Sequence, residues 1–353
     1  MSVFQSLRGV AGALVGDWRR YRTSMRAAHP EYLQICNRGE RLLAAPEGDI
    51  GFDCDWPWTT DLNAPKHLPW LGRQLLKRAL TDDRVALRDA PVSPSESPDI
   101  SFVIGHRGAA RIPHLLLTLK SIAGQSQANV ECIVVEQDTE SRLPSVLPPW
   151  VRYIHTPPPT TTMPYCRSWA FNVGVQHARA KVLILHDNDI VVPEFYAREA
   201  ARRCAQGHDF ANLKRFIFYL SEMHTTEIFA ERAAFEQLAP LSIGQNLEGG
   251  GSLVTTRDAY DDVGGMDETF IGWGGEDNEF WERAQTRPHW PYSYMSLVHL
   301  WHPAQAGKGN RSNETLSRYY TLAQIDPAER IRILKVRGRG ASHGPFGWLE
   351  NPS

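Results

Sequence analysis

Gly272 to Glu282 (GWGGEDNEFWE) gathers two tryptophans, three glycines and four carboxylates into eleven residues. Glycines let the backbone come close to a ligand, and the adjacent Glu276 and Asp277 offer the groups that acid–base chemistry on a polar substrate requires. A second reading stays open, a loop followed by the first turn of a helix whose dipole favours Glu276, Asp277 and Glu279. In either case Glu279 and Glu282 read as the solvent face of the following helix. A D-x-D pair, Asp187 and Asp189, follows the apolar run Lys181 to Leu185 (KVLIL). Two carboxylates at a sheet edge can hold a hard divalent cation against a diphosphate. Aspartates are common in turns, so the position after an apolar strand carries this signal. His299-Leu-Trp-His302-Pro follows the strand-like Tyr294 to Val298. No glutamate follows the first histidine, so a zinc metallohydrolase of the H-E-x-x-H kind does not fit.

These groups need elements to hold them. Ile100 to Gly105 (ISFVIG) reads as a buried strand running into a loop, followed by a helix from about Pro113 to Ala123. Val130 to Val135 and Val151 to His155 are further strands, Tyr165 to Ala178 a helix, and Lys181 to Leu185 a fourth strand. Strands alternating with helices predict an α/β fold with a mostly parallel central sheet flanked by helices, and ligands at the carboxyl ends of the strands. The polar residues just after those strands become candidates: His106, Arg107 and Arg111, then Glu136, Gln137 and Asp138, then His186 to Asp189. Neither G-x-G-x-x-G after the first strand nor a Walker-type loop occurs, which disfavours dinucleotide dehydrogenases and P-loop enzymes.

The 353 residues exceed one ordinary domain. A net charge of −2 gives no reason to expect nucleic-acid binding. Five scattered cysteines without a CxxC pair fit a reducing compartment and read as inert buried thiols. No run approaches the length of a membrane-spanning helix, and the short apolar run Gly9 to Gly16, followed by Asp17 and arginines, does not read as a cleavable signal. Phe4, Leu7, Val10, Leu14, Trp18 and Tyr21 recur near helical spacing beside Arg8, Arg19, Arg20 and Arg22. Such a helix either lies on an anionic membrane surface or packs on its own domain or a partner. From Glu31 to Ala90 the chain is rich in Pro, Trp and Asp. A helix is expected at Leu71 to Leu80, and a loop around Asp53 and Asp55. Pro91 to Pro98 (PVSPSESP) reads as a linker. Leu316 to Ile325 and Ala328 to Val336 read as helices, and the last residues as frayed.

The segments ISFVIGHRGAARIPHL, CIVVEQD, CRSWAFNVGVQHA, HDNDIVVP, GGGSLVTTRDAYDDVGGMDETFIGWGGEDNEFWERA and HLWHP stand in the order seen in GT-A glycosyltransferases. Over roughly Ile100 to Asn313 the chain resembles the β-1,4-galactosyltransferase group and bacterial family-2 and chondroitin-polymerase-type enzymes. The resemblance implies a GT-A fold, with residues 1–98 as N-terminal extension and linker, 99–315 as the catalytic domain and 316–353 as a helical tail. Arg107 and Arg111 then match arginines near the nucleotide diphosphate, and Tyr165 an aromatic that stacks on uracil. Arg167 and Asn172 match a pair lining the nucleotide-sugar pocket, Glu136 and Asp138 stand where base or ribose is contacted, and Trp273 belongs to the donor or acceptor wall. Asp189 matches the directly metal-binding carboxylate, with Asp187 nearer the sugar or ribose; His302 matches the histidine ligand, ahead of His299. Mn²⁺, or else Mg²⁺, is the implied cofactor. Asp277 matches the catalytic aspartate, beside Glu276, and implies inversion. Gly249 to Gly251, of which Gly250 and Gly251 matter most, match a glycine-bearing strand beside the acceptor.

The glycines at 264, 265, 272, 274 and 275 are the implied hinges of a segment closing over donor, and Lys308 and Arg311 are candidates to neutralise diphosphate. The implied partners are a UDP-sugar donor and a saccharide or glycolipid acceptor, in surface polysaccharide biosynthesis. The expected location is cytoplasmic, with possible peripheral contact to an inner membrane through the N-terminal helix. The alternatives are a retaining GalNAc-type transferase or polymerase module, and an inactive sugar-binding subunit of the same fold.

Overall fold

The computed structural model describes residues 3–56, 59–92, 96–245, 249–304 and 314–341. At its start, α1 (Val3–Gly12) and α2 (Trp18–Ser24) are joined by a π-helical turn at Ala13–Asp17. The wider turn interposes an extra residue in the helical repeat, and the single apolar face expected there divides. Leu7 and Leu14 are exposed, Tyr21 is buried, and Val10 and Trp18 are half-buried against the core. A hairpin of β1 (Leu42–Ala44) and β2 (Phe52–Cys54) follows. Asp53 therefore sits in a short strand where a loop was expected, because Phe52 is buried and bridges Ser293. Next come β3 (Thr60–Asp61), α3 (Asn63–His67) and α4 (Pro69–Asp82), whose Leu71, Leu75, Leu76 and Ala79 form one buried stripe.

The alternating region then runs β4 (Ile100–His106), α5 (Ile112–Ala123), β5 (Val130–Glu136), β6 (Val151–His155), α6 (Arg167–His177) and β7 (Val182–His186). After it come β8 (Ile190–Val191), α7 (Tyr196–Ala205), β9 (Phe210–Ala211), β10 (Lys214–Tyr219), α8 (Glu222–Phe229) and β11 (Ser242–Gln245). The described chain closes with β12 (Ser252–Thr256), α9 (Arg257–Asp262), α10 (Glu276–Ala284), β13 (His289–Trp290), β14 (Met295–His299), α11 (Glu314–Leu322) and α12 (Pro327–Lys335).

The larger sheet has the order β13-β9-β12-β7-β4-β5-β6. From β7 to β6 neighbours are parallel, whereas β12 runs antiparallel to both β7 and β9. Every residue of β4 and β5 is buried, as strands covered on both faces must be. A second sheet, β3-β11-β10-β14-β8, is also mixed, with β10 and β14 parallel and the other neighbours antiparallel. The architecture is thus α/β with mixed sheets, and the parallel character expected of the centre is confined to β7 through β6. Helix α6 is buried along Ser168 to Val175. Its Gly174 lies where a Cβ would run into Val103 of β4, which lets helix and sheet approach closely.

The first ninety residues pack into this body. β3 pairs with β11, buried Arg203 holds Asp49 at 2.6 Å, and buried Arg215 donates to the carbonyls of Leu33 and Ile35 at 2.8 Å each. At the other end α11 and α12 cover α10. Glu279 and Glu282 are accordingly not its solvent face. Glu279 is 1% exposed between Arg283 at 2.6 Å and Arg330 at 3.3 Å, and Glu282 accepts from Tyr319 and Arg330, each at 2.6 Å. Among the described residues no helix is long and apolar enough to cross a membrane.

Candidate functional site

Strand ends and helix starts converge on one cleft of about 520 Å³. The end of β4 brings Gly105 and Arg107, and the turn after β7 brings Asp187 to Asp189. The start of α6 supplies Tyr165 and Arg167, the start of α10 supplies Trp273, Glu276 and Asp277, and the end of β14 supplies His299 and His302. Gly105 has a steric reason to be glycine, since a Cβ there would occupy the place of the Tyr165 hydroxyl. In the GWGG loop, Gly272, Gly274 and Gly275 all have positive φ, at 107°, 111° and 88°. These dihedrals let the chain turn into α10 with Trp273 at the cleft. Gly249 lies against the first turn of α10, where a Cβ would meet the Asp277 carbonyl.

Two charge clusters share the cleft. In the first, Asp189 Oδ2 is 2.7 Å from Arg111 Nη1 and 3.3 Å from His302 Nε2, while Asp189 Oδ1 is 3.7 Å from His299 Nε2. One ligand atom from each of Asp189, His299 and His302 lies within 4.8 Å of the others. Donors bound to one divalent ion stand roughly 3 to 4.4 Å apart, so these three can hold a cation after small adjustment. The imidazole chemistry suits that role. His302 Nδ1 lies 2.7 Å from the Pro303 carbonyl, a contact that places its proton there and leaves the Nε2 lone pair facing Asp189. Burial pushes His302 down to about 4, so at neutral pH it is an uncharged donor. Burial works to raise Asp189, but His299, Arg111 and His302 hold it below the usual carboxylate range. With His302 neutral, Arg111 is the permanent cation standing on that carboxylate.

In the second cluster Arg167 joins three acids. It contacts Asp187 Oδ1 through Nη2 at 2.7 Å and through Nε at 2.8 Å, donates to Asp277 through Nη1, and reaches Glu276 Oε1 at 3.9 Å. Desolvation, reinforced by the charge of Asp277, pushes Glu276 up to about 7. Asp187 rises to about 6 through desolvation, against the pull of Arg167. Glu276 is turned toward the backbone and accepts from the Gly274 amide at 3.1 Å, whereas the Asp277 side chain is 29% exposed.

Four of the sequence candidates stand away from the cleft lining. Glu136 accepts from Tyr153 at 2.7 Å and from the Arg142 amide at 3.0 Å, anchoring the loop after β5. Asp138 pairs with Arg142 at 2.9 Å and accepts from the Gly108 amide at 3.2 Å, which ties that loop to the one carrying Arg107. Asn172 is 1% exposed and bonds Met266 and Glu268, so it fixes the segment leading into GWGGED. Gly251 lines the cleft and its carbonyl receives the Asp187 amide at 2.9 Å, whereas Gly250 instead accepts from the Ser252 amide. Lys308 and Arg311 lie outside the described residues.

Some lining residues had no sequence signal. Tyr219 ends β10 directly beside His299 of β14, with ring centroids 4.7 Å apart. KRFIFY by itself reads only as a strand, and its end reaches the site only once β10 pairs with β14. Asn188, the middle residue of D-x-D, donates to His106 Nδ1 at 3.0 Å, fixing the turn from behind.

A family model described as the N-terminal domain of galactosyltransferase matches residues 233–289. This supports a galactosyltransferase-like glycosyltransferase. The matched stretch contains β12, the GWGG loop and all of α10, hence Trp273, Glu276 and Asp277. The α/β architecture with mixed sheets is compatible with a Rossmann-like glycosyltransferase fold, and a family of that kind implies a nucleotide-sugar donor and an acceptor as partners. No curated protein matches this chain.

Proposed function

We propose that the protein is a metal-dependent, inverting glycosyltransferase of GT-A type that moves a sugar from a UDP-sugar to a hydroxyl of a saccharide or glycolipid. The carrying observation is that a carboxylate–imidazole cluster and an arginine-tied acid cluster open into one cleft beside the galactosyltransferase-like segment. Asp189, His299 and His302 are the residues that would hold the ion, and one carboxylate with two imidazoles suits Mn²⁺ better than Mg²⁺. When bound, such an ion stabilises the charge that grows on the departing diphosphate. Arg107 and Arg111 are assigned to the diphosphate, Tyr165 to the uracil and Asp187 to the ribose or sugar. Glu136, Asp138 and Asn172 would support the donor pocket through the loops they anchor.

In the reaction the acceptor oxygen bonds to the anomeric carbon as the bond from that carbon to the phosphate oxygen breaks. UDP leaves, and the acceptor proton passes to a carboxylate. Asp277, which lines the cleft, is the assigned base, and its contact with Arg167 orients it. Residues 99–315 form the catalytic unit in this reading, with 1–98 as extension and 316–353 as tail, in a cytoplasmic enzyme of surface polysaccharide synthesis. Incubation with a panel of UDP-sugars and Mn²⁺, with and without saccharide acceptors, should release UDP. Neither turnover nor EDTA-sensitive UDP binding with any donor would exclude the reading, and NMR of the product's anomeric proton decides inversion against retention.

A further inference from the structure

We propose that the outward face of α1 and α2, with the adjoining face of α4, is a docking surface for an anionic lipid bilayer. The orientation of these helices is fixed by what they press against. A Cβ on Gly9 would run into the His67 ring and one on Gly16 into the Arg38 guanidinium, and Ala13, Asp17 and Tyr21 are buried. The opposite stripe, at spacings of three and four, is Leu7, Ala11, Val15, Arg19 and Arg22, all exposed. Leu7 is 62%, Leu14 47% and Val15 85% exposed. The stripe thus passes from apolar to basic along its length. Alongside it Trp18 meets Trp70 of α4 with ring centroids 5.3 Å apart, and Trp70 is 41% exposed. The shallow pocket beside this pair is lined by Arg22, Arg26, Lys77 and Arg78, of which Arg78 is paired with Asp82 at 2.9 Å.

Charge decides the occupant. Residues 1–26 hold five arginines against a single aspartate, in a chain whose net charge is −2. That aspartate, Asp17, is buried and bonded to Arg38 at 2.7 Å, so it neutralises none of the outward arginines. Exposed aliphatic side chains, tryptophans at their border and unneutralised arginines beside them form the pattern that sinks into the headgroup region of an anionic leaflet. A second copy is disfavoured, because a two-fold contact would set the same arginine-rich face against itself.

The test is co-sedimentation of the full chain with vesicles of phosphatidylcholine alone and of phosphatidylcholine mixed with phosphatidylglycerol. Binding is expected to the mixed vesicles only, and to weaken as salt is raised. Each outward arginine reversed should weaken it about fivefold or more, so Arg19→Glu with Arg22→Glu should lose about 25-fold. Val15→Glu, which leaves the arginines intact, should also weaken it, and unchanged thermal unfolding identifies variants that fold. The single substitution Arg26→Glu serves if the double one does not fold. No binding by the unaltered chain, equal binding to both vesicles, or undiminished binding by folded variants would overturn the proposal. So would sedimentation velocity showing a dimer that Val15→Glu dissociates, which would assign the face to a second copy.

Discussion

Arg167 contacts Asp187 and Asp277 and reaches Glu276 at 3.9 Å, so one guanidinium ties the three acids together while burial raises Asp187 and Glu276. Glu276, at about 7, is matched to proton transfer near neutrality, whereas Asp277 is the more exposed of the two. The two assignments separate experimentally. With Asp277 as base, Asp277→Asn abolishes transfer and leaves UDP–Mn²⁺ binding within about threefold, while Glu276→Gln keeps measurable kcat. With Glu276 as base, Glu276→Gln removes activity that otherwise rises with pH through about 7. A collapse of UDP binding in Asp277→Asn would make that residue structural. Glu276 also links stability to pH. Its folded value lies above its ordinary 4.5, so its contribution is complete below about pH 4.5 and lost as pH rises through about 7. The fall in Tm from pH 5 to pH 8 should therefore be smaller in Glu276→Gln, and equal slopes would contradict the burial argument. Arg111, 2.7 Å from Asp189, competes with any cation for the same oxygen. Arg111→Gln should bind Mn²⁺ without nucleotide about tenfold more tightly, the change that about 1.4 kcal/mol brings, and bind UDP less tightly with Mn²⁺ present. Mn²⁺ electron paramagnetic resonance reads the first directly; unchanged Mn²⁺ affinity would mean that Arg111 does not guard the site.

The element that places Trp273, Glu276 and Asp277 is α10, and it is held from both ends. Gly275 enters it at φ 88°, where a Cβ would also overlap Tyr319 of α11. Gly275→Ala therefore combines a left-handed penalty with overpacking and should cost at least about 2 kcal/mol in urea unfolding. Farther along, Glu279 sits between Arg283 and Arg330 out of water. Glu279→Leu leaves those guanidiniums short of a buried counter-charge and should cost about 3–5 kcal/mol. A change below 1 kcal/mol for Glu279→Leu would show that the ion pairs are not what fastens the helix.

Across the whole molecule the N-terminal ninety residues are joined to the α/β body by a strand pairing, by Arg203 on Asp49 and by Arg215 on the Leu33 and Ile35 carbonyls. Arg215 is buried and its pKa is pushed down to about 10 by that burial, so those carbonyls are its compensation for lost water. A chain cut by an engineered protease site between Pro91 and Pro98 should keep both pieces together in gel filtration. Separation of the pieces at neutral pH would make residues 1–98 an appendage with no part in the fold.

Local pattern by itself determined the βα rhythm from Ile100 to Leu185, the helices at the C-terminal end and three of the segments that line the cleft. Apolar runs, helical spacing and glycine-plus-carboxylate clusters are written in neighbouring residues, and their chemistry does not depend on distant partners. Tertiary structure alone decided that Glu136, Asp138 and Asn172 turn their hydrogen bonds into the fold and that Tyr219 reaches the cleft. It also decided that Glu279 is buried and that β12 reverses the direction of the central sheet. Each of these depends on which element lies opposite: β10 beside β14, α12 over α10, the loop after β5 against the loop after β4. A sequence specifies a residue's capacity to bond, but the partner that uses that capacity, often a hundred residues away, exists only once the chain has packed.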